Sequence, residues 1–166
     1  MDRLLPRLVE RYGREVLDSL IRIKRKLVDM SREGLVKSNH SVMEMLVSAH
    51  LASKGYEVDV EKPLSEGLVC DVYARRGNEV VVVEIETGFV PPRNAVDPIR
   101  YRAAREVSKV ARYSQYADTF ILATPPYHVV YVPQVFLKPP GKRSEGELLE
   151  LKKLLDAYYR SPPIPV

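Results

Sequence analysis

The chain has 166 residues, 45% hydrophobic and 29% charged, with a net charge of +4, which fits a soluble globular chain and one domain over residues 1–166. Its longest unbroken apolar runs, such as Val80 to Val83, are too short to cross a bilayer, and MDRLLPRLVER lacks the apolar centre of a signal peptide. No membrane partner and a cytoplasmic location are therefore expected.

From Leu4 to Met30 apolar residues recur at 5, 8, 9, 12, 16, 20, 23 and 27, with Arg and Lys on the other faces. This spacing predicts one long basic amphipathic helix, an N-terminal arm over residues 1–30. Its apolar side would either cover the core or pack against a second copy to make a homodimer. A second helix is expected from Ser41 to Lys54, stopped by Gly55. Tyr56 to Val60 alternates as a strand does. Val69 to Arg75 and Glu79 to Glu86 read as two further strands joined by a Gly77-Asn78 hairpin turn. Asp97 is placed to cap a helix that opens with Pro98 and runs to about Tyr116. Thr119 to Ala123 reads as a strand, and Val129 to Val132 as another strand or a helical turn. Gly146 to Tyr159 closes the set as an amphipathic helix, and residues 161–166, SPPIPV, form an extended tail. The order helix, three strands, helix, strand describes an α/β sandwich around a mixed sheet.

Charge is segregated along the chain. Residues 1–40 and 93–113 each carry a net +4, whereas residues 44–86 carry −5. A metal site that serves a polyanion needs this pattern, because the metal takes carboxylates and phosphates take Arg and Lys. The single cysteine, Cys70, excludes an internal disulfide. His40, His50 and His128 lack zinc spacing and read as surface or core residues. Asn and Gln number only five, a hint of a thermophilic source.

The acids of the central segment carry the chemistry. Alternate residues of a strand face one side, so Val80, Val82, Glu84 and Glu86 share a face, and Val81, Val83 and Ile85 share the other. With a two-residue turn at Gly77-Asn78, Arg76 sits opposite Glu79 and Asp71 opposite Glu84, their Cβ atoms roughly 4.5 to 5.5 Å apart. Two like charges so placed repel unless a cation lies between them, and a divalent ion with oxygen ligands answers that need. Glu44, on the preceding helix, either joins this group or closes a capping box with Ser41. On the helix after the strands, Ile99, Ala103, Val107, Val110 and Ser114 are expected to face inward. Arg102, Arg105, Lys109 and Arg112 line another side, where they would follow a phosphate backbone or form an ordinary solvated face.

A helix with Glu44, a strand with Asp71, a hairpin, then Glu84-x-Glu86, a basic helix and a strand together resemble the PD-(D/E)XK, or restriction-endonuclease-like, nuclease superfamily over about residues 40–123. The resemblance implies a three-layer sandwich with a central mixed sheet flanked by helices. It also implies Mg²⁺, or Mn²⁺, held by Asp71, Glu84 and the carbonyl of Ile85, and hydrolysis of phosphodiester bonds in DNA. Glu86 stands where the superfamily usually has lysine, and would position or deprotonate the attacking water. Lys109 is the local candidate for a lysine supplied from the next helix. The alternative is a nuclease-fold module that binds nucleic acid, or mediates assembly, without cutting.

Overall fold

The Gly77-Asn78 turn sets the register of the sheet. In the computed structural model, which describes residues 1–36 and 38–160, β1 spans Glu57–Ser65, β2 Leu68–Arg76, β3 Glu79–Ile85 and β4 Thr119–Ala123. Across the hairpin Arg76 lies opposite Glu79, and the ladder continues to Val72 opposite Val83. Gly77 takes φ 61°, the left-handed conformation that a tight turn of this kind demands. β1 pairs antiparallel with β2, and β4 runs parallel to β3, so the sheet is open and mixed, in the order β1-β2-β3-β4. The architecture is α/β, with five α-helices among the described residues.

The chain forms two compact units, Met1–Ile85 with Tyr116–Ala123, and Glu86–Gln115 with Thr124–Val166. In the first, α1 (Leu4–Tyr12), α2 (Leu17–Arg32) and α3 (Ser38–Ala52) enclose one core with the sheet. Leu8, Val16, Leu20, Ile23 and Leu27 meet Val58, Val60, Val72, Ala74, Val81 and Val83, all buried. The strand residues are those that alternation assigns to one face. α3 stops at Gly55, which takes φ 81° and donates its amide to the Ala52 carbonyl.

Residues 4–30 are not one helix. Gly13, at φ 96°, ends α1, and a 3-10 turn over Arg14–Val16 leads into α2. The break is invisible to periodicity because Tyr12, Val16 and Leu20 on either side of it keep the i, i+4 spacing. The apolar stripe considered for self-assembly is buried in this unit's own core.

In the second unit α4 (Pro98–Tyr113) packs on α5 (Glu145–Asp156) through Ala104, Val107, Leu151 and Leu155, with Val135 beside them. The Asp97 carboxylate accepts from the Arg100 amide, and Pro98 opens α4 as its fixed φ favours. Ala103 and Val107 are buried as expected, but the rest of the buried face of α4 is turned from the expected one. Ile99 is 78% exposed, and Val110 and Ser114 are half-buried, whereas Tyr101, Ala104, Glu106 and Ser108 are buried. The helix is turned so that Glu106, 2% exposed, reaches partners in the segment after β4. Those bonds also explain why residues 129–132 form no strand. Tyr131 N–H donates to Glu106 Oε2 at 2.5 Å and the Val129 carbonyl accepts from Arg102 at 2.7 Å, so side chains replace a ladder. The tail expected at 161–166 lies outside the described residues. Among the described residues, no helix is long and apolar enough to cross a membrane.

Candidate metal centre

Two elements of the first unit, α3 and β2, bring their polar side chains together. On α3, His40 and Glu44 stand four residues apart and therefore on one face. From β2 comes Asp71. A ligand atom from each of His40, Glu44 and Asp71 lies within 4.8 Å of the other two, and His40 Nε2 is 3.3 Å from Asp71 Oδ2. Glu44 is fully buried and Asp71 is 9% exposed. These three groups can hold a metal ion.

Glu44 is no capping residue. α3 begins at Ser38, so Ser41 lies inside the helix, and the Glu44 carboxyl accepts no hydrogen bond from a described residue and faces the Glu61 carboxyl instead. Burying an ionised carboxylate unpaired is very costly, so the group either keeps its proton or meets a cation. Its pKa is accordingly pushed up to about 8, by burial first and then by the charge of Glu61, against the opposing pull of His40.

Glu61 sits on β1 among these groups, and its own carboxyl is raised by burial and by Asp71. Its φ is 45°, the only positive value outside glycine among the described residues. Such strain persists where the surroundings hold it, and it is concentrated at functional sites. The thiol of Cys70, fully buried next to Asp71, is pushed up to about 12 by burial and by the charges of Glu84 and Asp71. It stays protonated, so the donors at this end of the sheet are carboxylate oxygen and imidazole nitrogen. That set suits Mg²⁺ less well than ions such as Mn²⁺, which accept both.

The register brings Asp71 and Glu84 together, as the hairpin predicts. The Asp71 amide donates to Glu84 Oε1 at 3.1 Å, and the Ile85 amide donates to Asp71 Oδ2 at 2.5 Å. Glu84, 3% exposed, thus holds the backbone of β2 with one oxygen. The carboxylates do not emerge at a solvated rim, as the strand pattern suggests, but end buried. Ile85, expected to offer its carbonyl, takes part through its amide.

Glu86 follows β3 and belongs to the second unit, where it is 1% exposed. Its Oε2 accepts from Arg105 Nε at 3.0 Å and its Oε1 from the Gly88 amide at 2.8 Å. The basic stripe of α4 is correspondingly less open than its spacing suggests. Arg105 is tied to Glu86, and Arg102 donates to His128 Nδ1 at 2.9 Å and to the Val129 carbonyl. Arg112 lies over the Tyr113 ring, 5.6 Å from its centroid. Lys109 is half-buried on the same helix.

Sequence reasoning missed His40 and Glu61. The spacing of His40 and Glu44 was a usable signal, since i and i+4 residues share a helix face. Glu61 carried none, because only the backbone conformation beside Asp71 singles it out. No protein-family model, curated protein or solved structure matches the chain.

Proposed function

We propose that the chain is a metal-dependent nuclease hydrolysing phosphodiester bonds in DNA, built on a restriction-endonuclease-like version of the α/β fold. The observation that carries this reading is the buried Glu44 carboxyl, which accepts no hydrogen bond and is gathered with Glu61, Asp71 and His40. A cation resolves what is otherwise an unfavourable gathering of acids. Asp71, Glu44 and His40 would hold it, with Mn²⁺ or Mg²⁺ as the ion. When bound, such an ion supplies positive charge for a scissile phosphate and acidifies a water for in-line attack. Glu84 keeps Asp71 in place through the Asp71 amide, and Glu61, whose carboxyl is raised by burial and by Asp71, adds a further acid to the group. The acidic centre between basic segments supports a polyanionic substrate.

The test is cleavage of plasmid and single-stranded DNA with Mg²⁺ or Mn²⁺, comparing the natural chain with Asp71→Ala. Cutting by the former alone is expected, and equal cutting by both overturns the reading.

One observation favours a second reading, a module that binds DNA without cutting it. The carboxylate at the usual lysine position, Glu86, is locked to Arg105 and to the Gly88 amide. DNA affinity with no cleavage in any divalent metal would establish it.

A further inference from the structure

A polar cleft of about 370 Å³ lies on the open β1 side of the sheet, lined by Arg22, Glu57, Asp59, Lys62, Tyr73 and Arg75. Its size falls within the range of small-ligand pockets. β1 is an edge strand, and Arg22 of α2 reaches over it to donate to the Val58 carbonyl at 3.0 Å. Lys62 Nζ sits 3.7 Å from the centroid of the Tyr73 ring, so an ammonium already marks the aromatic face. Arg75 and Glu57 are exposed, whereas Asp59 is engaged by Lys26 at 2.9 Å. Tyr73 stands two residues along β2 from Asp71, about 7 Å by strand rise.

The mixture of groups identifies a ligand class. A site for a bare anion would hold cations alone, yet this cleft adds the free Glu57 and the Lys26-bound Asp59 carboxylates and an aromatic ring to three cations. A nucleotide offers all three complements: phosphate for the cations, a π-face for the ring, and amino or hydroxyl donors for the carboxylate. We propose that the cleft holds one nucleotide of a polynucleotide strand, its phosphate on Lys62 and Arg75 and its base on the Tyr73 ring that Lys62 now covers. Lys62 is suited to the exchange, since its ammonium rides on a flexible stem and moves with the phosphate. The cleft thereby gives the strand a seat about one strand repeat from the candidate metal centre. The inference rests on the nuclease reading for the fate of the strand, but not for its binding.

The experiment measures fluorescence anisotropy of a labelled oligothymidylate of about twelve nucleotides in EDTA, so that neither metal nor cleavage enters. The natural chain should bind it. Lys62→Ala/Tyr73→Ala should bind about tenfold or more weakly, and Arg75→Ala should flatten the salt dependence by about one unit of log–log slope. A circular-dichroism melt establishes that each variant is folded, and Tyr73→Phe, which keeps the π-face, should bind as the natural chain does. Unchanged affinity in folded Lys62→Ala/Tyr73→Ala overturns the inference. So does competition by inorganic polyphosphate as strong as by the unlabelled oligonucleotide, since a site without a base preference needs no ring. Thymidine monophosphate binding as tightly as the strand would overturn the polynucleotide assignment. Oligonucleotide binding by a natural chain that cuts no DNA with Mg²⁺ or Mn²⁺ would overturn the nuclease reading and still support this inference.

Discussion

Asp71 and Glu84 each hold the other's strand: Glu84 Oε1 accepts the Asp71 amide at 3.1 Å, and Asp71 Oδ2 accepts the Ile85 amide at 2.5 Å. Side chains thus continue the pairing of β2 and β3 past Val72 and Val83, where the backbone ladder ends. The acids are fixed by the sheet itself and do not depend on mobile loops, which is the condition for a preorganised site.

Metal binding should be measurable without any substrate. Calorimetric titration with Mn²⁺ should show a site in the natural chain, weakened roughly 100-fold or more in Asp71→Ala and in Glu44→Gln, since losing a ligand costs more than losing an outer partner. At about 100 times its Kd, Mn²⁺ should stabilise the fold by about 2.7 kcal/mol. Identical titrations for the natural chain and both variants would remove the centre.

The metal-free protein should lose stability as pH rises. The Glu44 carboxyl is raised from its ordinary 4.5 to about 8 in the fold. Between these values the folded chain keeps a proton that the unfolded chain has released. The contribution is complete below about pH 4.5 and is lost as pH climbs through about 8. Glu61, also raised, acts with the same sign. Melts in EDTA at about pH 5 and pH 8 should show a higher Tm at the lower pH. Glu44→Gln should reduce the difference, and an unchanged difference would clear Glu44 of the effect.

Glu61 separates backbone strain from charge. Glu61→Gly can take φ 45° without a side-chain clash and should stabilise the metal-free chain, relieving strain worth of order 1 kcal/mol as well as removing a carboxylate. Glu61→Ala removes the carboxylate but keeps the strain, and should be the less stable of the two. Equal Tm values would mean that the conformation is unstrained.

In the second unit, Glu106→Ala should be severe. It removes the partner of His128 Nε2 at 2.9 Å and of the Tyr131 amide. Deleting one member of a buried network such as this costs about 3–5 kcal/mol. Hydrogen exchange should accelerate at the Tyr131 amide, and Gly88→Ala should disturb the same segment, because a Cβ there would lie 2.7 Å from His128 Nδ1. Slow exchange at Tyr131 in Glu106→Ala would show that other contacts hold the segment.

All four strands were legible in the residues, although β1 runs on to Ser65, five residues past the expected Val60. Val-rich alternation, the Gly77-Asn78 turn and the Asp97-Pro98 start are local physics, and β4 falls at Thr119–Ala123 as its apolar pattern requires. The meeting of Asp71 with Glu84 was legible for the same reason, since a two-residue turn leaves one register. What sequence could not hold is non-local. Gly13 ends a helix without breaking the hydrophobic phase. Glu106 turns α4 so that Ile99 faces solvent, because a buried charge must reach its partners, and the same bonds keep residues 129–132 from forming a strand. His40 and Glu61 join Glu44 and Asp71 only through the packing of α3 and the strained backbone of β1. Pattern fixes which groups lie on one face of one element, but tertiary packing decides which faces meet, and therefore which acids are buried together.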